Sequence, residues 1–439
     1  MSLTSALASS VSGIAAASTQ ISVIGDNIAN ANTTGFKEKR VLFASVLGQN
    51  ITAGAGAAQT GAGVRVNDIG TIFSQGVFEQ TQNNLDVGIE GRGFFTLEGN
   101  FGRSYTRSGA FGLDANGLLV DTNGNRVQGY GIDPTTGSSN GVLGDIVINV
   151  PLSSPQPTSE FQLGMNLDAS APIVTAAFDP ANPTTTSSER QVVTVYDTLG
   201  SPHQATIFFT HTGANAWDYN VTLATADSAL AGTTTDPFVI QAGGSGTLTF
   251  DSAGTLTAIN GGTTNPTVTF AFNVANGAAA SQAIDFSMGP LPGGAPATGS
   301  PTTQYNTPTT TSYVSQDGYS PGSLSSLAVD TDGRLNGVFT NGITTSLAQL
   351  ALGNFANVEG LTDIGGGRMA ESLDSGPAII AAANTGNLGS IRSSSLEKSN
   401  VDLAQQFVNL IIGQRAFQAN TRTASVANEL LSNLVSLGQ

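Results

Sequence analysis

The chain has 439 residues, enough for about three domains, and its 39% hydrophobic content supports real cores. Only 10% of residues are charged and the formal net charge is −16, which excludes a basic nucleic-acid-binding face and adhesion to anionic lipid. There are no cysteines, so disulfides and thiolate metal sites are excluded as well.

At the N-terminal end Leu3, Leu7, Ser10, Ile14, Ala17, Ile21, Ile24 and Ile28 alternate in steps of four and three, the seam of a coiled-coil-like helix. This helix is rich in Ser and Ala, almost uncharged and weakly capped, so it needs a partner. The first residues lack the basic stretch of a cleavable secretory signal. No run approaches the ~18–20 apolar residues of a membrane span, so no membrane insertion is expected. The helix leaves through a cluster of Asn, Thr and Gly, N-I-A-N-A-N-T-T-G-F-K, ending at Lys37.

Residues 48–63 form a Gly/Ala linker without apolar period. From Val64 to Phe95 alternating residues predict strands, and F-G-L-D-A-N-G-L-L-V and V-D-T-N-G-N-R-V-Q-G-Y predict hairpins with Asn/Gly turns. A Pro/Ser-rich linker begins near Pro151 and is followed by closely spaced strands that predict a β-sandwich or barrel. A Pro/Gly/Thr linker from Leu291 to Pro308 closes that module. The earlier β-pattern then resumes, from S-Y-V-S-Q-D-G to S-L-A-Q-L-A-L-G-N-F. Residues 358–400 are again Gly/Ser-rich and irregular.

The final forty residues repeat the helical theme. Leu403, Phe407, Leu410, Gln414, Phe417, Thr421, Ala424, Asn428, Leu431 and Val435 alternate in steps of four and three without a proline, with Asn400 or Ser399 as N-cap. Two apolar seams at opposite ends, with nearly all the strand-like sequence between them, suit a paired rod that also docks on neighbouring copies. Two core helices of an ordinary globule are the plainer alternative.

No catalytic, cofactor-binding or metal-ligating constellation stands out. His203 and His211 share one strand-rich segment without a second ligand cluster. The Asp121-to-Asn125 and Asp330-to-Gly333 stretches lack the later glycine and glutamate of a calcium loop, and Asx turns explain both. Ser395 to Lys398 matches S-x-x-K without its companion elements and reads as a segment approaching the helix. The Gly243–Gly246 stretch misses G-x-S-x-G by one glycine. Trp217 reads as core.

N-I-A-N-A-N-T-T-G-F-K and S-N-V-D-L-A-Q-Q-F-V-N-L-I-I-G-Q-R-A-F-Q-A-N resemble the two terminal signatures of the flagellar rod and hook axial protein family. Asn27, Asn30, Thr34, Gly35, Phe36, Asn400, Asp402, Gln414 and Asn420 carry that match. D-V-G-I-E-G-R-G-F-F and L-L-V-D-T-N-G-N-R-V-Q-G-Y resemble the family's first β-domain. The large inserted module favours a hook subunit over a distal rod subunit; a secreted β-rich adhesin or enzyme is the competing class.

The expected fold is multidomain: an α-helical, coiled-coil-like terminal pair plus two mainly-β domains, the outer inserted in the inner. The pair takes residues 1–30 and 400–439, irregular connectors 31–70 and 358–399, the inner β-domain 71–150 and 306–357, and the outer module 151–305. The resemblance implies a non-enzymatic homopolymer without cofactors, exported by the flagellar type III apparatus without a cleaved signal. Its implied partners are distal rod, hook cap and hook–filament junction proteins. The seam residues Leu3, Leu7, Ile14, Ile21, Ile24, Ile28, Leu403, Phe407, Leu410, Phe417, Leu431 and Val435 are the expected subunit interface.

Overall fold

The computed structural model describes residues 3–47, 50–53, 56–59, 61–100, 102–133, 136–148, 152–273, 276–291 and 301–437. The side chains of Leu3 and Val435, both expected on the seams, lie outside the described residues. The chain divides into two units, one of residues 1–150, 325–338 and 344–439, the other of residues 151–324 and 339–343. Its helices are α1 (Leu3–Ala29), the single turn α2 (Pro183–Thr186) and α3 (Leu403–Leu437).

In the first unit α1 and α3 run antiparallel. Gly13 lies beside Asn420, Ile21 beside Gly413 and Asn27 beside Gln406. Small residues bring the backbones together: a methyl group on Gly13 would sit 2.7 Å from the Asn420 amide nitrogen, and one on Gly413 3.1 Å from Ile21. Ala16, Ala17, Ile24 and Ala427 are buried, while Leu7, Ile14, Ile21 and Ile28 are half-buried.

The seam of α3 matches the expected one only in part. Gln406, Gly413 and Ala427 are its buried residues, with Asn420 and, from the expected set, Leu410, Ala424 and Leu431 half-buried; Leu403, Phe407 and Gln414 are exposed, and Phe417 at the seam's edge is 37% exposed. A helix with apolar residues on more than one side supports two registers of the same spacing. The small residues choose between them, because only they allow the closest backbone approach.

Two further expectations about the helices change. Asp402, not Asn400 or Ser399, caps α3: its Oδ1 accepts the backbone N–H groups of Ala404 at 2.9 Å and Gln405 at 3.2 Å. The Ser5–Ala29 stretch of α1 is long and apolar enough to cross a membrane by length and composition. Serine and threonine break up its apolar runs, yet the lack of charge keeps its average hydropathy high.

The segments flanking the helices are not irregular. Strand Lys39–Ser45 pairs antiparallel with Val64–Thr71, and Asn50–Ala53 with Gly56–Gln59. On the C-terminal side, Ile379–Ala382 pairs with Thr344–Asn354, Ser390–Ser393 with Val87–Glu90, and Ser395–Glu397 with Phe78–Gln80. The Ser395 stretch is therefore a strand. Pieces of three or four residues between glycines are too short to reveal alternation.

The main sheet runs in the order 324–329, 334–339, 344–354, 126–132, 94–99, 102–106, 368–370 and 362–365. Phe95, Leu97, Val127, Leu350 and Leu352 are buried in it. Phe94, Tyr105 and Phe355 form a second cluster of edge-to-face rings.

The second unit is a ten-stranded sheet, ordered 189–196, 202–213, 216–224, 238–250, 267–271, 281–287, 160–168 and 303–305 along its main path. It closes on one core containing Trp217, Tyr219, Phe161, Phe209, Phe270 and Phe286. His211 stacks on Trp217 at 4.7 Å and His203 on Phe272 at 4.3 Å, so both histidines are core residues. Strand Thr310–Gln316, expected in the inner β-domain, pairs with Glu160–Asp168 in this unit. The Pro/Gly/Thr stretch before it marks a change of composition without ending the module.

Asp114, Asp121, Asp197, Asp251 and Asp330 each close a turn by accepting two backbone N–H groups through one carboxylate oxygen, two and four residues further on. These Asx turns occupy the carboxylates at both stretches considered for calcium.

Candidate assembly interface

The two chain ends meet at a buried ionic junction in the first unit. Lys37 Nζ contacts Glu397 Oε1 at 2.6 Å and donates to the Ser74 carbonyl at 2.8 Å. Arg107 Nη1 lies 3.4 Å from Glu397 Oε2, and its other amino group donates to the Gly91 carbonyl at 2.7 Å. The guanidinium also stands 5.3 Å from the centre of the Phe94 ring. The Gly76 N–H donates to Glu397 Oε1 at 2.9 Å, and the Glu397 side chain is 0% exposed. One carboxylate thus serves two cations out of water.

Gly35 sets the chain on this path. It adopts φ +71°, its N–H donates to the Glu397 carbonyl at 2.8 Å, and a side chain there would meet Ser108 N at 2.6 Å. Phe36 lies under the Lys39 ammonium, 5.8 Å from its ring centre. Lys39 itself pairs with Asp363 at 2.9 Å.

A second layer, built mainly of amide side chains, joins the helix ends. Asn27 is 1% exposed. Its Oδ1 accepts the Lys39 N–H at 2.9 Å, while its Nδ2 donates to the Lys39 carbonyl at 2.8 Å and to Gln406 Oε1 at 3.3 Å. Gln406 Nε2 then donates to Glu38 Oε1 at 2.8 Å. Asn400 accepts the Glu38 N–H at 2.7 Å and donates to the Ile72 carbonyl at 2.9 Å and Ser74 Oγ at 2.9 Å.

The structure therefore brings Asn27, Gly35 and Asn400 to the junction, leaves Asp402 as the cap of α3, and sets Asn420 further along the helix seam. Asn30 closes the end of α1 by donating to the Asp26 carbonyl at 2.9 Å, Thr34 is half-buried, and Gln414 is exposed. Sequence reasoning missed Lys37, Glu38, Arg107, Glu397 and Gln406. The available clue was charge: in a chain so poor in it, Lys37 ends the first end motif and Glu397 stands two residues before the second.

Burial pulls the Lys37 ammonium below its ordinary value of 10.5, against the attraction of Glu397 and with the repulsion of Arg107. Burial lowers Arg107 likewise, again opposed by Glu397. In the unfolded chain Lys37 keeps its proton up to about pH 10.5; in the folded chain it releases it at lower pH. Between those two points the unfolded state binds more protons, so this group adds stability as pH rises. Below them its burial cost is present in full. The stability of the wild type relative to Lys37→Met, from urea unfolding, is expected to grow as pH rises toward the ordinary lysine value of 10.5. A gap that is constant or shrinks removes Lys37 as the titrating group.

Beyond the junction, α3 leaves apolar side chains uncovered. Phe407 is 51% exposed and Ile412 56%, and Leu403, Val408, Ile411, Phe417, Val426 and Leu430 are exposed with them. Among the described residues no group of three His, Asp or Glu is placed to hold a metal ion.

The two end segments thus meet at one junction and leave it as a helix pair with an uncovered apolar face, the architecture of a structural protein with no catalytic centre described. Comparison with known proteins supplies the particular family. Residues 7–37 match the flagella basal body rod protein model and residues 392–437 the flagellar basal body rod FlgEFG protein C-terminal model. Residues 88–163 match the flagellar hook protein FlgE/F/G D1 domain and residues 166–319 the flagellar basal body protein FlaE D2 domain. The flagellar hook protein FlgE of Escherichia coli K12 is 33% identical over 439 aligned residues, covering 98% of this chain and 100% of the relative. That of Treponema pallidum is 33% identical over 464 aligned residues, covering 98% and 99%. A crystal structure of Helicobacter pylori flagellar hook protein FlgE2 aligns with a TM-score of 0.48 at 14% identity, over 73% of this chain and 100% of that one. The chain belongs to the flagellar hook protein family and is a structural subunit of the bacterial flagellar hook.

Proposed function

We propose that this subunit polymerises through its terminal helix pair into a flexible tube joining rod to filament and passing motor torque. The observation that carries the reading is the uncovered face of α3, from Phe407 through Ile411 and Ile412 to Leu430. Burying a large apolar side chain contributes roughly 1.5–3 kcal/mol, which a lone chain cannot collect on this face. A head-to-tail contact that does not close into a ring generates a helical polymer.

In this reading α1 and α3, ~40 Å and ~52 Å long at the usual rise per residue, form the inner wall. The seam residues Leu7, Ile14, Ile21, Ile24, Ile28, Leu403, Phe407, Leu410, Phe417 and Leu431 divide between the intrachain pair and contacts to other copies. The second unit is the outer module, inserted in the inner β-domain; the first unit's residue ranges on either side of it support this. The weakly charged Ser/Thr/Asn/Gly surfaces of the β-domains let neighbours slide between nearly equivalent packings as the tube bends. The subunit has no enzymatic activity, does not insert in a membrane, and is exported by the flagellar type III route without a cleaved signal. Its partners, by resemblance to the family, are distal rod, hook cap and hook–filament junction proteins.

Chains lacking residues 1–28 or 401–439 are expected to keep folded β-domains and to form no tubes in electron micrographs. Tubes from either truncated chain would overturn the reading.

A further inference from the structure

We propose that Leu373 is a docking knob, seated in every assembled contact in an apolar recess of the α1–α3 pair of a second copy. The proposal rests on the hook-polymer reading and names one of its contacts. Leu373 is 102% exposed. A side chain exposed to that degree touches nothing in its own chain, so any seat for it lies on another molecule.

A single exposed leucine is ordinary in itself; the turn beneath this one is not. The Ser372 N–H donates to Ser375 Oγ at 2.9 Å, and Ser372 Oγ accepts from the Asp374 N–H at 3.1 Å and the Ser375 N–H at 3.2 Å. Ser372 Oγ also donates to the Gly360 carbonyl, and Asn357 Nδ2 donates to the Asp374 carbonyl at 3.1 Å. Ser375 is 1% exposed, and a methyl group on Gly360 would lie 2.5 Å from the Asp374 backbone. The leucine is therefore held out from a fixed base, and its ordering cost is met within the chain before docking.

The seat is identified by shape and charge. Ala6, Arg422, Thr423, Val426, Ala427 and Leu430 line a recess of about 360 Å³ between the two helices. Its walls are apolar except at Arg422, which has no ion-pair partner among the described residues. Leu373 is flanked by Glu371 and Asp374, whose carboxylates also lack an ion-pair partner among the described residues. A leucine between two acids fits an apolar hole beside one arginine. The polar recess around Lys39 fits worse, because that cation already faces Asp26 and Asp363.

The absence of cysteine makes the test direct. Full-length chains carrying Leu373→Cys, Val426→Cys or both are polymerised and oxidised, then run on non-reducing gels. A ladder of covalent oligomers is expected from the double variant alone. Leu373→Asp is expected to raise the polymerisation threshold about tenfold while leaving monomer circular dichroism and melting unchanged. Arg422→Glu is expected to weaken assembly, and Asp374→Arg to restore it. Tubes from the double-cysteine chain without a ladder, or Leu373→Asp tubes at the wild-type threshold, overturn the knob while leaving the hook reading intact. A cross-link of Val426→Cys to a neighbouring helix in the single variant also overturns it, since the recess then holds a helix. A wild-type chain that forms no tubes under any condition removes the hook reading itself.

Discussion

Glu397→Gln is expected to destabilise the first unit by about 3–5 kcal/mol, the scale seen when one partner of a buried ion pair is removed. Lys37 and Arg107 share this one carboxylate, and both stay buried when it becomes neutral. Glutamine keeps an oxygen that can still accept from the Gly76 N–H and Lys37, but its amide nitrogen then faces the Arg107 donor, so the loss combines the missing charge with one missing acceptor. Lys37→Met acts differently. It leaves one cation on one carboxylate, fills the lysine stem with apolar atoms, and takes from the Ser74 carbonyl one of its two donors, the Asn400 amide remaining at 3.2 Å, at a cost of about 1–3 kcal/mol. The predicted order is thus that removing the single anion hurts more than removing one of two cations. Urea unfolding of the monomer, followed by far-ultraviolet circular dichroism, measures it. Trp217, the chain's one tryptophan, lies in the second unit's core, so its fluorescence transition reports that unit separately and is expected to stay in place. A Glu397→Gln chain that unfolds within about 1 kcal/mol of wild type would show that the junction's charges are satisfied in some other way.

The terminal helices were legible because a four-three repeat over many turns has few competing explanations. Which seam of α3 meets α1 was not, since Leu403, Phe407 and Phe417 satisfy the spacing as well as Gln406, Gly413 and Ala427 do. Hydropathy ranks the first set as core, whereas backbone approach selects the second. The second unit's longer strands announced themselves by alternation, as in Q-V-V-T-V-Y and A-T-I-F-F-T-H. Strands such as Arg368–Ala370 and Ser395–Glu397 did not, because they exist only through pairing with distant partners. The junction is hidden for the same reason. Lys37 and Glu397 are 360 positions apart and join only when both chain ends are in place. Each signature motif is visible alone, but its purpose lies in the other.

Replacing Phe407, Ile411 and Ile412 together by aspartate, serine and serine is expected to abolish tube formation while the monomer folds normally. In the single chain these side chains are about half exposed and lie away from the Gly413 and Ala427 seam. Substitutions at exposed positions usually change stability by no more than about 0.5 kcal/mol each, so the α1–α3 pair should survive. In the proposed tube the same side chains would lose their remaining contact with water. At roughly half of the 1.5–3 kcal/mol for complete burial, three of them supply about 3 kcal/mol, or about a hundredfold in polymerisation threshold. The aspartate adds a desolvation cost to that. Sedimentation of wild-type and variant chains over a concentration series measures the threshold, and circular dichroism of the supernatant checks the fold. Gly13→Leu provides the opposite case: it disrupts the pair itself, so it is expected to lower monomer helicity as well as assembly. Should the triple variant sediment as tubes at the wild-type concentration, the uncovered face of α3 is not the surface on which neighbouring subunits meet, and the cohesion of the polymer has to come from the β-domains.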